Sequence, residues 1–447
     1  MWSLPFVSSA LLAVAPAAAF APHIQHPDQI AMNTYERGVG HFSEWSRATK
    51  KEFLIDWQAG KESEWILVQG NEGGDLDSMT AALTWAYHLG HSTLNTSNPI
   101  KAIALLQTPT HALDLRPENQ LALKNSQMTS GHEDLLTIDE LPEDPETLSP
   151  KLKGIVIVDH AEPLRKWQKA KILSIFDHHV DRGAGPDASP RIFEKTASCT
   201  TIVARQMLDE LEKLDEEYHM PHELLELVLS AIAIDSGGLD EDSSSEADIK
   251  TSARVLARSN WKKKDLNQVM EGLDDELGDA KKDLGHLGLR DLLRRDWKSD
   301  LVDTVSTNTP TVSLGFASIP YSMDYQIDKT EFEELFDWFA IHAAWTAEAR
   351  VDVSVCLNRY KKDEDGKKRK IREIALVVRD DVRIDQDQAD SLFQVIYNAL
   401  TTNGSITLTP WHRASELAPR QMVWTHESDA GRKVIRPIVE DAVMAWE

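Results

Sequence analysis

The chain has 447 residues, with 73 acidic and 48 basic side chains and a formal net charge of −25. That length suffices for two or three domains with full cores, and 41% apolar content excludes a wholly disordered chain and a multi-span membrane protein. A charge of −25 repels nucleic acid and anionic membranes, so an anionic substrate must find a local basic cleft or a bound cation. The two cysteines, Cys199 and Cys356, are too few for a disulfide framework or a cysteine zinc site, and read as buried free thiols.

Residues 1–21 differ in character from the rest. Leu4 to Ala21 is apolar except for Ser8 and Ser9, is broken by Pro5 and Pro16, and ends in Ala17-Ala18-Ala19-Phe20-Ala21. Its length and small-residue end fit a secretory signal cleaved near Ala19 or Ala21, although the usual basic n-region is missing. No arginine precedes Arg37, as a mitochondrial presequence would require. A signal here implies the secretory route, and an uncleaved apolar tail implies the cytoplasm.

Beyond Pro22 short apolar strands alternate with helical stretches. Trp65–Val68, Ala102–Leu106, Gly154–Val158 and Ile172–Phe176 are continuously apolar runs. Met79–Leu89, Thr196–Leu214 and Pro221–Ile234 have helical character. Such strands imply a sheet covered on both faces, so the spacing predicts a doubly wound, mainly parallel α/β lobe over residues 35–242. The polar, proline-punctuated stretch 109–150 reads as an irregular excursion with little core. Residues 243–299, with Lys262-Lys263-Lys264 and Asp274-Asp275-Glu276, read as solvated helices joining two lobes. Strands resume at Val312–Phe316, Val351–Leu357 and Ile374–Val378, followed by a helix over Gln386–Leu400 and strand-like pieces near Ile406, Met422 and Val434. Residues 300–447 are thus a second, smaller α/β lobe with a mixed sheet.

The chemistry collects where the first-lobe strands end, which is where open parallel sheets bind ligands. The first strand runs into Asn71-Glu72-Gly73-Gly74-Asp75-Leu76-Asp77-Ser78, the third into Asp159-His160, and the fourth into Asp177-His178-His179. The helix 224–234 then delivers Asp235. A single D-x-D is ordinarily a cap or turn. Several at one sheet edge repel one another unless cations neutralise them, and hard oxygens with one imidazole suit Mg²⁺ or Mn²⁺.

This order of motifs resembles the D-H-H phosphoesterases, and within them the exopolyphosphatase, family II pyrophosphatase and prune branch, most of all the fungal type of exopolyphosphatase. Arg294-Arg295-Asp296-Trp297-Lys298 and Gly431-Arg432-Lys433 resemble phosphate-binding segments of that branch's second, DHHA2-like lobe. The resemblance implies two divalent metal ions, Mg²⁺ or Mn²⁺ with Co²⁺ as a further candidate. It implies that Asp75 and Asp159 hold one ion, and that Asp77, Asp159, His178 and Asp235 hold the other. His179 is then a catalytic, non-ligand histidine facing phosphate, and Lys298, Arg432 and Lys433 cradle the remaining phosphates. Asn71, expected among the substrate-binding residues, stands where family II pyrophosphatases carry a ligand histidine, which weakens a pyrophosphatase reading.

The activity so implied is hydrolysis of phosphoanhydride bonds by a metal-activated water, with orthophosphate released from the ends of inorganic polyphosphate. Pyrophosphate, nucleotide phosphodiesters, or a prune-like protein-interaction role are the alternatives. The expected partner is polyphosphate, with no nucleic acid, no stable membrane association and a monomeric state. His160 reads either as orienting Asp159 or as simply packed. Ser198-Cys199-Thr200-Thr201 reads either as amides offered to an anion or as a helix cap. The 13 tryptophans read as core.

Overall fold

The computed structural model describes residues 38–92, 100–129, 132–214, 217–364 and 367–447. The signal-like segment 1–21 lies outside the described residues. The first lobe runs α1 (His41–Gln58), β1 (Ile66–Gln69), α2 (Leu76–His91), β2 (Ala102–Leu106), α3 (Thr110–Leu113), α4 (Pro117–Asn125), β3 (Leu136–Thr137) and α5 (Pro145–Leu148). It continues through β4 (Gly154–Val158), β5 (Ile172–Asp177), β6 (Arg191–Phe193), α6 (Cys199–Leu211), α7 (His222–Ser236), α8 (Glu246–Arg258) and α9 (Leu266–Lys282).

The strands form one parallel sheet in the order β3-β2-β1-β4-β5-β6. Every residue of β1, β2 and β4 is buried, as continuous apolar runs require when helices cover both faces. The order reverses between β1 and β4. Chain leaving neighbouring strands there departs in opposite directions and opens a crevice beyond their carboxyl ends.

The charged stretch after residue 243 is less solvated than its composition suggests. Val255, Leu256, Trp261, Val269, Met270, Leu273 and Leu277 from α8, α9 and their connection join the first-lobe core. Their 3.6-residue spacing gives each helix one apolar face, and the charges occupy the other. The excursion 109–150 also contributes to that core, through Leu113, Ala122, Leu123 and Leu135.

The second lobe comprises α10 (Leu289–Arg295), β7 (Trp297–Asp303), β8 (Thr311–Ile319), α11 (Met323–Asp328), α12 (Leu335–Glu348), β9 (Val353–Glu364) and β10 (Lys367–Val378). It ends with α13 (Gln386–Thr402), β11 (Thr409–Pro410), β12 (Gln421–His426) and α14 (Arg432–Met444). Its sheet has the order β11-β12-β10-β9-β8-β7 and is mixed, with only β8 and β9 parallel. Helices α13 and α14 cover one face, and α10, α11 and α12 cover the other. Ile406 precedes β11 without joining a strand, and Val434 lies in a helix. Buried Ile435, Val439, Ala442 and Val443 recur at helical spacing, and that period overrides the β-branched local composition. Both cysteines are buried and free, as expected. Among the described residues no helix is long and apolar enough to cross a membrane.

Candidate active site

The loop after β1 turns tightly because of its glycines. Gly74 has φ +54°, and a Cβ there would collide with the Thr108 hydroxyl. A Cβ on Gly73 would stand 3.0 Å from Asn71 Oδ1 and 3.1 Å from Lys298 Cε, so a side chain there would crowd the close approach of the second-lobe lysine.

Asp159 follows β4 with φ +60°, a left-handed conformation uncommon for any residue but glycine. The side chain is buried at the crevice floor. Its Oδ2 accepts from Asn71 Nδ2 at 2.6 Å and from Ser78 Oγ at 2.5 Å. Its Oδ1 faces His178 Nε2 at 3.2 Å and His179 Nδ1 at 3.8 Å. Burial opposes ionisation, but His178, Lys298 and His179 hold this carboxyl well below the usual range. Asn71 therefore works as a hydrogen-bond donor to a carboxylate, with an amide in place of an imidazole that could bind a metal.

Asp77 sits against the start of α6. Its Oδ1 accepts from Ser198 Oγ at 2.5 Å and from the Thr200 amide and hydroxyl, both at 2.7 Å, and its Oδ2 accepts from the Cys199 amide at 2.7 Å. The anion at this helix N-terminus is thus an internal carboxylate. Burial and the charge of Asp159 push the Asp77 carboxyl up, against the pull of His178. His178 donates from Nδ1 to the Thr196 carbonyl at 3.1 Å, and its Nε2 faces Asp159 and, at 4.0 Å, Asp77. Burial works to lower its pKa, but the Asp159 hydrogen bond and surrounding carboxylates push it up to about 10.

Asp159, His178 and His179 each bring one ligand atom within 4.8 Å of the others. Asp75, Asp77 and Asp235 stand outside this tight group. Asp75 caps α2, its Oδ1 accepting from the Ser78 amide at 3.0 Å, and Asp77 is drawn to α6. Asp235, in the last turn of α7, makes no side-chain hydrogen bond among the described residues. Desolvation and the charges of Asp77, Asp75 and Asp159 push its carboxyl well above the usual range. His179 is nearer the group than expected, yet its Nδ1 is committed to Asp177 Oδ1 at 2.8 Å. His160 binds the Val158 carbonyl at 2.8 Å rather than Asp159, so packing describes it better.

A divalent cation fits this donor set. Asp177 keeps a buried Oδ2 with no partner among the described residues, and burial together with neighbouring carboxylates raises Asp77 and Asp235. With His178 Nδ1 turned to a carbonyl, its Nε2 is the ring atom left for a metal.

The second lobe meets this floor through the expected 294–298 and 431–433 segments and through one group the sequence did not single out, Arg116. Buried Arg116, from the excursion, donates through Nε to the Gly73 carbonyl at 2.8 Å and approaches Asp296 Oδ1 at 3.4 Å. Arg432 holds the same aspartate, Nη2 to Oδ1 at 3.0 Å and Nη1 to its carbonyl at 3.1 Å. Arg295 reaches Leu115 O and Glu118 Oε1, and the Ser299 amide donates to Glu72 at 3.2 Å. Lys298 comes to the Gly73 loop, Arg432 is occupied by Asp296, and Lys433 is exposed on the first turn of α14. Nothing in the sequence distinguishes Arg116 from other lone arginines, because its role arises only from tertiary contact.

Residues 65–232 match the family model described as "DHH family, N-terminal domain", and residues 275–442 match the "DHHA2 domain". A Schizosaccharomyces pombe protein named "Putative exopolyphosphatase" is 29% identical over 286 residues, which is 62% of this chain and 71% of that protein. The crystal structure of a "putative family II inorganic pyrophosphatase" from Methanococcus jannaschii is similar at a TM-score of 0.50 and 16% identity. The similarity covers 85% of this chain and 99% of that one, and at such identity it concerns the fold alone. With both models matched in order, and Asp177-His178-His179 at the end of β5, the chain belongs to the DHH superfamily of phosphoesterases.

Proposed function

We propose that the protein is an exopolyphosphatase, releasing orthophosphate from the ends of polyphosphate chains. The observation that carries this reading is the Asn71 amide bound to Asp159 at 2.6 Å, where the pyrophosphatase pattern has a ligand histidine. The name borne by the S. pombe relative points the same way.

The family is divalent-metal dependent. Asp75, Asp77, Asp159, His178 and Asp235 are the residues that would hold the ions. Bound there, Mg²⁺, Mn²⁺ or Co²⁺ would supply Lewis-acid polarisation of a phosphoryl oxygen and a water of lowered pKa. The chain's own residues prepare the geometry. Asn71 and Ser78 fix one oxygen of Asp159 and leave the other toward His178. Asp177 fixes His179 by its Nδ1–H, and when the ring is protonated its Nε2–H can be given to a departing phosphate, leaving a neutral ring. Lys298, projecting over the Gly73 loop, meets phosphate as a point charge.

Phosphate release from pyrophosphate, tripolyphosphate, long polyphosphate and a cyclic nucleotide, each with Mg²⁺, Mn²⁺ or Co²⁺, tests the reading. Release from long chains at rates above those on pyrophosphate is expected. Turnover of pyrophosphate alone would return the protein to the pyrophosphatase side of its family.

A further inference from the structure

On a chain of net charge −25, residues 359–372 carry eight basic and three acidic side chains. Of these, residues 359–364 and 367–372 form the distal ends of β9 and β10. Strand β8 accompanies β9 only as far as Asn358, and β12 accompanies β10 only from Arg372 onward. The remainder is a two-stranded ribbon that projects past the sheet.

The ribbon's register sets Arg372 opposite Arg359 and Lys370 opposite Lys361. Side chains alternate along a strand, so these four lie on the same face as Leu357 and Ile374, the face that α13 and α14 cover. Directly opposed like charges destabilise an antiparallel pair. Lysines often guard exposed strand edges, but mixed signs would solvate a ribbon equally well without cross-strand repulsion. Arg359, Lys361 and Lys370 are exposed. Arg372 meets Asp429 at 3.7 Å, and that aspartate is itself 88% exposed and easily displaced.

The patch is continuous with the catalytic cleft. Arg372 Nη1 lies 3.4 Å from the position of a Cβ on Gly431, the residue that caps α14. Arg432 follows directly and holds Asp296, two residues from Lys298. Lys298 pairs with Phe316 and so lies on the same face of the sheet. A line of cations therefore leads from the Gly73 loop outward along the ribbon.

We propose that the ribbon face carrying Arg359, Lys361, Lys370 and Arg372 is a holding track for the distal part of a long phosphate polyanion whose end occupies the first-lobe cluster. This rests on the exopolyphosphatase reading. Polyphosphate is favoured over single-stranded nucleic acid because this face offers cations without aromatic rings for bases to stack on. Tyr360, opposite Ile371, points to the other face.

The test compares wild-type protein with the full-length variant Arg359→Gln/Lys361→Gln/Lys370→Gln. Removing like-charge pairs at exposed positions should leave the melting temperature equal or higher. KM for long polyphosphate at low salt should rise about tenfold, the sum of three exposed charge contacts, with kcat unchanged. Constants for tripolyphosphate should not move, and the salt dependence of long-chain KM should flatten. End-labelled long polyphosphate, with metal chelated so that no turnover occurs, should bind the variant about tenfold more weakly. Unchanged long-chain binding, or an equal loss on both substrates, would overturn the track. So would competition by a single-stranded oligonucleotide as strong as that by polyphosphate of equal charge. If wild-type protein released no phosphate from any chain length, the parent reading would fail. The chelated binding assay would still decide the ribbon, upheld by binding lost in the variant and overturned by binding that persists.

Discussion

Asp77 is held by two main-chain amides and two hydroxyls, whereas Arg432, across the cleft, is held by a single aspartate. The same contrast extends to their neighbours. First-lobe carboxylates are short side chains at strand and helix ends, so the backbone fixes them and little rotamer freedom remains to be lost. Second-lobe cations are long side chains whose positions depend on partners that are themselves side chains. The first lobe is a rigid floor fit for ions of strict geometry, and the second is an adaptable wall suited to a flexible chain of phosphates.

The sharpest way to break that contrast is at the floor. Asp159→Asn should lower turnover on the order of 10³-fold or more while circular dichroism stays native, because one carboxylate oxygen faces the cluster and the other organises the loop. Retention of a tenth of wild-type phosphate release at saturating metal would defeat the metal-assisted reading. One shell further out, Thr200→Val removes a hydroxyl from Asp77 and keeps the amide. Divalent-cation affinity measured by calorimetry should fall about 10-fold, the lower end for a lost supporting hydrogen bond.

The wall should yield more gently. Arg116→Met leaves Asp296 with Arg432 still beside it, so the loss should be about 2–3 kcal/mol in a denaturant titration, below the cost of orphaning a buried charge. The smallest effect expected is in acid. Desolvation favours the neutral form of Asp296, but Arg432, Arg116 and Lys298 prevail and hold its carboxyl well below the ordinary value of 3.8. A depressed folded-state pKa contributes stability above the unfolded value, lost as pH falls through the folded one. Wild-type stability should therefore fall more steeply than that of Asp296→Asn only below about pH 4. Parallel curves there would remove Asp296 from the closure of the lobes.

The same contrast governs what the sequence discloses. Strands β2 and β4 have the expected bounds because continuous apolar runs between polar loops leave little choice. The carboxylates at the strand ends were legible for a related reason, since the parallel sheet fixes where its carboxyl edge must be. Arg116 was not, because a lone arginine in a polar excursion acquires meaning only when the second lobe arrives. Helix α14 was obscured by Val434, Ile435, Ile438 and Val439, which favour strand locally, although Ile435, Ile438 and Val439 pack one helical face onto the second-lobe core while Val434 stays exposed. At Ser198–Thr201 the sequence offered an anion or a cap, and the structure supplies both at once, the anion being Asp77.

That arrangement has a consequence for product release. The start of α6 is the sort of helix end on which a free phosphate would settle, and a resident carboxylate already fills it. On the exopolyphosphatase reading, orthophosphate leaving the cleft would find this helix end already taken, which removes one parking place that would slow its departure.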